Sequence, residues 1–202
     1  MVGQGLNWDE TIPAQVESML GVQSANIAVH GFSTQQAYLR LVAELPRFHH
    51  PVAVVALFTP DLFNRNMDDD RPHVGPDMAW IEPRLRWRLA LISSILVPYR
   101  REETIARGMA ATRAVLRATV DLAQARGAVP VIVVPQFLPE DPTEFELRQQ
   151  ILDGGGLPYV WVGLDSKWRL PGDQHPDARA AQAMANAISG YLRNANINIL
   201  VK

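Results

Sequence analysis

Several absences narrow the function of this 202-residue chain before any motif is considered. It contains no cysteine, which excludes disulfide bonds, thiolate metal ligands and a cysteine nucleophile. It has no apolar run of the ~18 residues that a transmembrane helix needs, and its start lacks the order of a signal peptide. The net charge is −2 with no long basic stretch, so no nucleic-acid partner is expected. With no targeting signal, the default expectation is a cytoplasmic protein.

The composition and length of the chain are those of an ordinary globular protein. Hydrophobic residues make up 48% and charged residues 20%, and the length suits one domain with a core that needs no covalent staples. We therefore expect a single domain over residues 1–202.

Short apolar segments rich in β-branched residues alternate with longer amphipathic stretches. Such segments are typical of strands that are buried on both faces of a parallel sheet. The predicted strands are ANIAV (25–29), VAVVALF (52–58), VPVIVV (129–134) and YVWVG (159–163).

Helical periodicity predicts four main helices before, between and after these segments. Thr11 and Asp177 are candidate N-caps of the first and last helix, and Gly127 is expected to end the longest. The alternation of strands and helices predicts an α/β domain with a mostly parallel sheet. The predicted helices are 11–20, 34–48, 102–126 and 177–193.

Two segments stand apart from this alternation. Residues 64–101 form a long excursion with two Trp among many Arg and Pro. It could act as a lid over a site, but its length favours a packed helical insertion. Its part 78–97 is a candidate surface for a homodimer. The C-terminal NINILVK (196–202) is a further apolar segment and a candidate short strand.

The clearest chemical signal is Asp173-x-His175 in the sequence LPGDQHPDARAAQAMANAI (170–188). A carboxylate that accepts from one imidazole nitrogen fixes the tautomer and orients the ring, as a general base requires. The alternative is an ordinary loop Asp and His that cap the following helix. The position favours a site, because this loop follows the last predicted core strand and opens the final helix.

This block resembles the last conserved block of the SGNH (GDSL-type) hydrolases. NWDETIPAQVESML (7–20) and the long stretch 25–58 are similar to earlier segments of that family. The resemblance implies a three-layer α/β/α, flavodoxin-like fold, and hydrolysis of an acyl ester or carbohydrate ester as a small-molecule substrate. It implies His175 as the base, Asp173 as its orienting acid and Gly31 as an oxyanion-hole N–H donor. It implies no cofactor and no metal. From local sequence alone, Gly31 is equally well a plain turn residue.

The chain departs from the family at its nucleophile. The family's Ser lies in a Gly-Asp-Ser motif at the end of its first strand, and neither that motif nor G-x-S-x-G occurs in the 202 residues. The first strand of the family is therefore missing from this sequence. Ser33 is the nearest candidate within the chain, but its position favours a helix cap. We expect INILV (197–201) to fill the place in the sheet that the missing strand leaves.

A second departure concerns the oxyanion hole. The family has an Asn before Asp61, whereas this chain has Pro60, which offers no donor. Asn64 and Asn66 are the nearest amides that could substitute. Two hypotheses follow: an ester hydrolase whose Ser lies upstream of Met1, or a catalytically inactive SGNH-like binding or scaffold protein.

Overall fold

Three parallel strands form a sheet at the centre of the described part of the chain. The computed structural model describes residues 3–67, 73–82, 102–137 and 139–195, with the backbone alone for residues 102–104. The strands lie in the order β1-β4-β5, and both neighbouring pairs are parallel. A separate antiparallel pair, β2 and β3, forms a short hairpin. The bounds are β1 Ala53–Leu57, β2 His73–Val74, β3 Trp80–Ile81, β4 Val129–Gln136 and β5 Tyr159–Gly163.

Six α-helices are described around this sheet, and their ends follow local sequence signals. Asp177 accepts hydrogen bonds from the backbone N–H groups of Arg179 and Ala180 and so caps the last helix. Gly127, with φ 70°, follows the longest helix in a left-handed conformation that favours glycine. The helices are α1 Ile12–Leu20, α2 Thr34–Glu44, α3 Pro60–Asn66, α4 Glu102–Ala125, α5 Pro142–Arg148 and α6 Ala178–Asn194. A π-helical turn, Gln149–Asp153, continues α5.

The core divides into two clusters, one on each face of the sheet. On one face α1 and α6 pack against Val131, Val133 and Val162. On the other face α4, α5 and the π-helical turn pack against Ile132 and Val134. β4 supplies both clusters through the two-residue alternation of its side chains, which makes it the buried centre of the sheet. The prediction of an α/β domain with a parallel sheet is thus confirmed for the described residues.

The predicted strand at 25–29 is not part of the sheet that the structure describes. Residues 23–29 pair with no strand among the described residues. A strand exists only where its backbone groups bond to a neighbouring strand. A cavity separates this segment from β1, so it has no ladder partner there.

The described part of the 64–101 excursion consists of the end of α3 and the β2–β3 hairpin. A buried amide network holds the hairpin to the helices. The Gln35 side chain bonds to both backbone groups of Val74, and Asn66 accepts from Gln35 N–H and donates to Thr112 Oγ1 at 2.8 Å. Residues 83–101, with most of the candidate dimer surface, lie outside the described residues. The same holds for the predicted strand 197–201.

Candidate active site at the carboxyl edge of the sheet

The loop between β5 and α6 carries the Asp173–His175 motif at the carboxyl edge of the sheet. Backbone hydrogen bonds shape it into a small hairpin. Leu170 N–H donates to His175 O at 2.9 Å, and Asp173 N–H donates to Leu170 O at 3.0 Å. Asp177 N–H donates to Trp168 O at 3.1 Å, which ties the end of the loop to its beginning. The backbone of His175 is therefore fixed on a loop where parallel α/β sheets commonly bind ligands.

Asp173 and His175 form a direct side-chain contact. Asp173 Oδ1 lies 2.5 Å from His175 Nδ1 and also accepts from His175 backbone N–H at 3.0 Å. When Nδ1 carries the proton, it donates to this carboxylate and leaves the Nε2 lone pair as the acceptor. The pair then has the arrangement of a general base whose ring is oriented by an acid.

The electrostatics of the pair favour an ionised Asp173. The His175 side chain, followed by its backbone N–H, holds the pKa of Asp173 below its ordinary value. The two side chains remain partly open to solvent, with 43% of His175 and 35% of Asp173 exposed. A substrate could thus reach the imidazole without a conformational change in this loop.

Arg169 connects the same loop to the end of β4. Its guanidinium lies over the ring of Phe137, 3.8 Å from the ring centroid. It also donates to the backbone carbonyl of Gln174, next to His175. A cation over an aromatic face is favourable, so this contact holds the site loop against the sheet edge.

The third predicted site residue, Gly31, lies in a turn beside His175. Phe32 N–H closes the turn onto Val29 O, and Gly31 has φ 77°. Apart from its two chain neighbours, no atom of the described residues lies within 4 Å of the position that a Cβ of residue 31 would take, so the backbone can be approached closely there. The neighbouring His30 ring lies 5.8 Å from the His175 ring, centroid to centroid. The structure therefore brings the Gly31 turn to the Asp173–His175 pair.

Ser33 has a structural role in this turn. Its hydroxyl accepts from Gln36 N–H, and its own N–H donates to Gln36 Oε1, which forms a capping box at the start of α2. It is only 2% exposed. Among the described residues, the His175 ring contacts Asp173 and His30 but no serine hydroxyl.

The two amides considered as substitute oxyanion donors differ in position. Asn66 is buried, and its side chain is engaged by Gln35 and Thr112, so it is not available as a donor to substrate. Asn64 is exposed on α3. Pro60 occupies the first turn of α3, where its missing N–H costs the helix nothing.

Sequence reasoning did not single out His30 or Arg169. Both sit beside predicted site features, since His30 precedes Gly31 and Arg169 begins the Asp173–His175 loop. That proximity in sequence was the available signal. Side-chain partners across the fold, such as Phe137 for Arg169, carry no sequence signature.

Comparison of the chain with family models, curated proteins and solved structures finds no match. Within the described parts of the chain, no three His, Asp or Glu side chains are grouped so that they could hold a metal ion. None of the helices described is both long and apolar enough to cross a bilayer.

Proposed function

We propose that this chain carries the general-base half of a serine ester hydrolase of the SGNH type. The observation that supports it is the 2.5 Å contact between Asp173 Oδ1 and His175 Nδ1 on a loop at the carboxyl edge of the sheet. The proposed substrate is a small acyl ester or carbohydrate ester. The reaction needs no cofactor in this proposal.

The proposed mechanism assigns one role to each site residue. His175 Nε2 takes the proton of a serine hydroxyl as the serine oxygen bonds to the ester carbonyl carbon. The same proton passes to the departing alkoxide when the carbon–oxygen bond of the ester breaks. Water then releases the acyl group by the same two steps. Asp173 orients the ring and stabilises the imidazolium, and the resemblance to the SGNH family assigns the role of oxyanion donor to the Gly31 N–H.

The serine in this proposal comes from outside the 202 residues. The resemblance assigns it to a Gly-Asp-Ser motif that precedes the segment matching residues 7–20. Ser33 does not compete for this role, because its hydroxyl is buried in a helix cap.

The test compares this chain with a longer version that includes the residues encoded immediately upstream of Met1. Each protein is treated with a fluorophosphonate, and the covalent adduct is detected by intact-protein mass spectrometry. Hydrolysis of p-nitrophenyl acetate is followed in parallel. We expect a single adduct on the extended chain only. His175→Ala should abolish it and lower kcat/KM by at least about 10⁴-fold. Asp121→Asn, at an exposed position of α4, is the control and should change neither.

Two outcomes would contradict the proposal. An extended chain that is not labelled has no activated serine, and an adduct that persists in His175→Ala does not depend on this base. An adduct on the 202-residue chain that is lost in His175→Ala would place the nucleophile within the present sequence instead.

A non-catalytic binding protein is the second candidate, and Pro60 is the observation that favours it. Pro60 stands where the resemblance implies an amide donor, and Asn66 is engaged elsewhere. Removing one oxyanion donor typically lowers turnover by about 10²–10³-fold. An extended chain that is not labelled, yet is stabilised against heat by an O-acetylated oligosaccharide, would support this candidate.

A further inference from the structure

The loop that carries the candidate base also places a cation, Arg169, against the backbone of that base. The Arg169 guanidinium donates from Nη1 to the carbonyl oxygen of Gln174, the residue that precedes His175. The backbones of Arg169 and Pro176 form an antiparallel bridge, so the two arms of the loop lie side by side. The guanidinium is therefore held next to the backbone of His175.

An aromatic ring fixes the orientation of this guanidinium. Phe137 follows β4 directly, and the centroid of its ring lies 3.8 Å from the guanidinium carbon of Arg169. Phe137 itself packs against the core cluster that α1 and α6 form. An arginine whose planar group is already held in place loses less side-chain entropy when it binds an anion. The contact with Phe137 thus prepares Arg169 for binding as well as holding the loop.

The Arg169 guanidinium has hydrogen-bonding capacity that the described residues leave unused. It carries five N–H donors, and in the described part of the chain its one hydrogen-bond acceptor is the Gln174 carbonyl. The two carboxylates that flank His175, Asp173 and Asp177, are bonded to other side chains. Among the described residues, Arg169 forms no ion pair with a carboxylate. Its charge is therefore available to an anionic ligand.

A second guanidinium contacts the other segment of the candidate site. Arg65 on α3 donates to the carbonyl oxygen of Phe32 at 3.3 Å, and Phe32 follows Gly31. This turn lies beside His175 through the ring of His30. Arg65 also forms no ion pair with any carboxylate that the structure describes. Both segments of the candidate site thus hold a half-buried guanidinium, and such charges attract anions to the site.

We propose that Arg169 forms an anion-binding subsite beside His175, and that the substrate is an ester that also carries a carboxylate. The free N–H groups of Arg169 bind the carboxylate, whose planar shape matches a guanidinium, while the ester group lies at His175. Arg65 adds positive potential from the side of the Gly31 turn. The reaction at this substrate rests on the ester hydrolysis proposed above, whereas the subsite is tested by binding alone.

Binding of two small esters to the 202-residue chain tests the subsite without the need for a nucleophile. Monomethyl succinate carries a carboxylate at neutral pH, and dimethyl succinate is its neutral counterpart. NMR titrations follow the backbone N–H groups of Gly31 and His175 and the Nε–H of Arg169. We expect monomethyl succinate to shift all three and to bind at least about 10-fold more tightly than the diester. Added salt should reduce this preference.

Variants of the loop show whether the preference belongs to Arg169. Arg169→Gln should remove it, and Arg169→Lys should keep part of it because the charge remains. Lys167→Gln is the matched control, since it removes the same charge from an exposed position of the same loop, and it should keep the preference. If neither variant at Arg169 folds, the Arg169 Nε–H shift in the parent chain still gives the answer.

Three outcomes would overturn the subsite. They are equal affinity of the parent chain for the two esters, no shift at Arg169 Nε–H, and equal loss of the preference in Arg169→Gln and Lys167→Gln. In the last case the general charge of the loop, rather than Arg169, would attract the anion.

The binding test also separates the subsite from the proposed function. If the extended chain is not labelled by the fluorophosphonate but the 202-residue chain prefers monomethyl succinate through Arg169, ester hydrolysis fails and the subsite stands. If the extended chain is labelled and cleaves p-nitrophenyl acetate but Arg169→Gln keeps the preference, the subsite is wrong and the hydrolysis stands.

Discussion

The hydrogen bonds that Asp173 accepts favour its ionised form. One of its carboxylate oxygens, Oδ1, accepts from the backbone N–H of His175 and contacts Nδ1 of the His175 ring. A hydrogen bond to the charged form of an acid lowers its pKa, and the pKa of Asp173 is lowered for this reason first. Asp173 therefore both orients the ring of the proposed base and stabilises the loop that holds it.

The substitution Asp173→Asn should therefore have a pH-dependent effect on stability. A carboxyl with a lowered pKa in the folded state stabilises the protein above its unfolded pKa, about 3.9. That contribution is lost as the pH falls through the lower folded pKa. Urea unfolding should show the variant less stable than the parent at pH 7, with the difference shrinking below about pH 4. A difference that is constant over pH 7 to pH 3 would contradict this account.

The pKa of Asp177, four residues later, is subject to two opposing effects. Burial disfavours its charged form, but the Arg179 guanidinium and the N–H groups at the start of α6 outweigh burial and lower the pKa of Asp177 overall. His175, the candidate base, is thus flanked in the loop by two ionised carboxylates, Asp173 and Asp177.

At the scale of elements, one buried amide network joins α2, α3, α4 and the β2–β3 hairpin. Asn66 lies at its centre, and its amide donates to Thr112 Oγ1 while its carbonyl accepts from Gln35 N–H. Thr112 is fully buried, and Asn66 is 4% exposed. Water cannot readily replace a partner that is removed there.

Thr112→Val should leave the Asn66 amide without its acceptor while keeping the shape of the side chain. An unsatisfied buried donor costs about 1–3 kcal/mol, so the free energy of unfolding should fall by that amount. Thr112→Ser keeps the hydroxyl and should recover most of the loss despite the missing methyl group. Chemical denaturation of the three proteins measures this. If the Ser and Val variants are equally destabilised, packing rather than the hydrogen bond dominates at this position.

The elements that sequence could predict are those whose signals are local. The apolar runs at 52–58, 129–134 and 159–163 become β1, β4 and β5, and Asp177 caps α6 as predicted. The run at 25–29 is also apolar and rich in β-branched residues, but it pairs with no strand in the described part of the chain, and composition cannot reveal whether a partner strand is present. Gly31 and His175 approach each other through the His30 ring, a contact that only the folded chain defines. The catalytic roles of Asp173, His175 and Gly31 remain predictions.

At the scale of the whole molecule, the sheet lies between two apolar clusters, and its central strand, β4, contributes side chains to both. Val131 and Val133 belong to the cluster formed with helices α1 and α6, called here the α1–α6 cluster. Ile132 and Val134 point to the opposite face and belong to the cluster formed with helices α4 and α5, the α4–α5 cluster. A single strand, β4, thus contributes to both clusters. Because both clusters depend on β4, loss of packing on one face should also destabilise the other face.

Two core truncations on opposite faces should therefore destabilise one and the same transition. Ile188→Ala removes a fully buried side chain from the α1–α6 cluster, and Leu116→Ala does so in the α4–α5 cluster. Each should lower the free energy of unfolding by about 2–5 kcal/mol. Far-ultraviolet circular dichroism and tryptophan fluorescence should shift together in both variants, because cooperative domains unfold in one step. Trp168 packs against the α1–α6 cluster and reports on that face. If Leu116→Ala shifts the dichroism transition but not the fluorescence transition, the two faces unfold separately and β4 does not couple them.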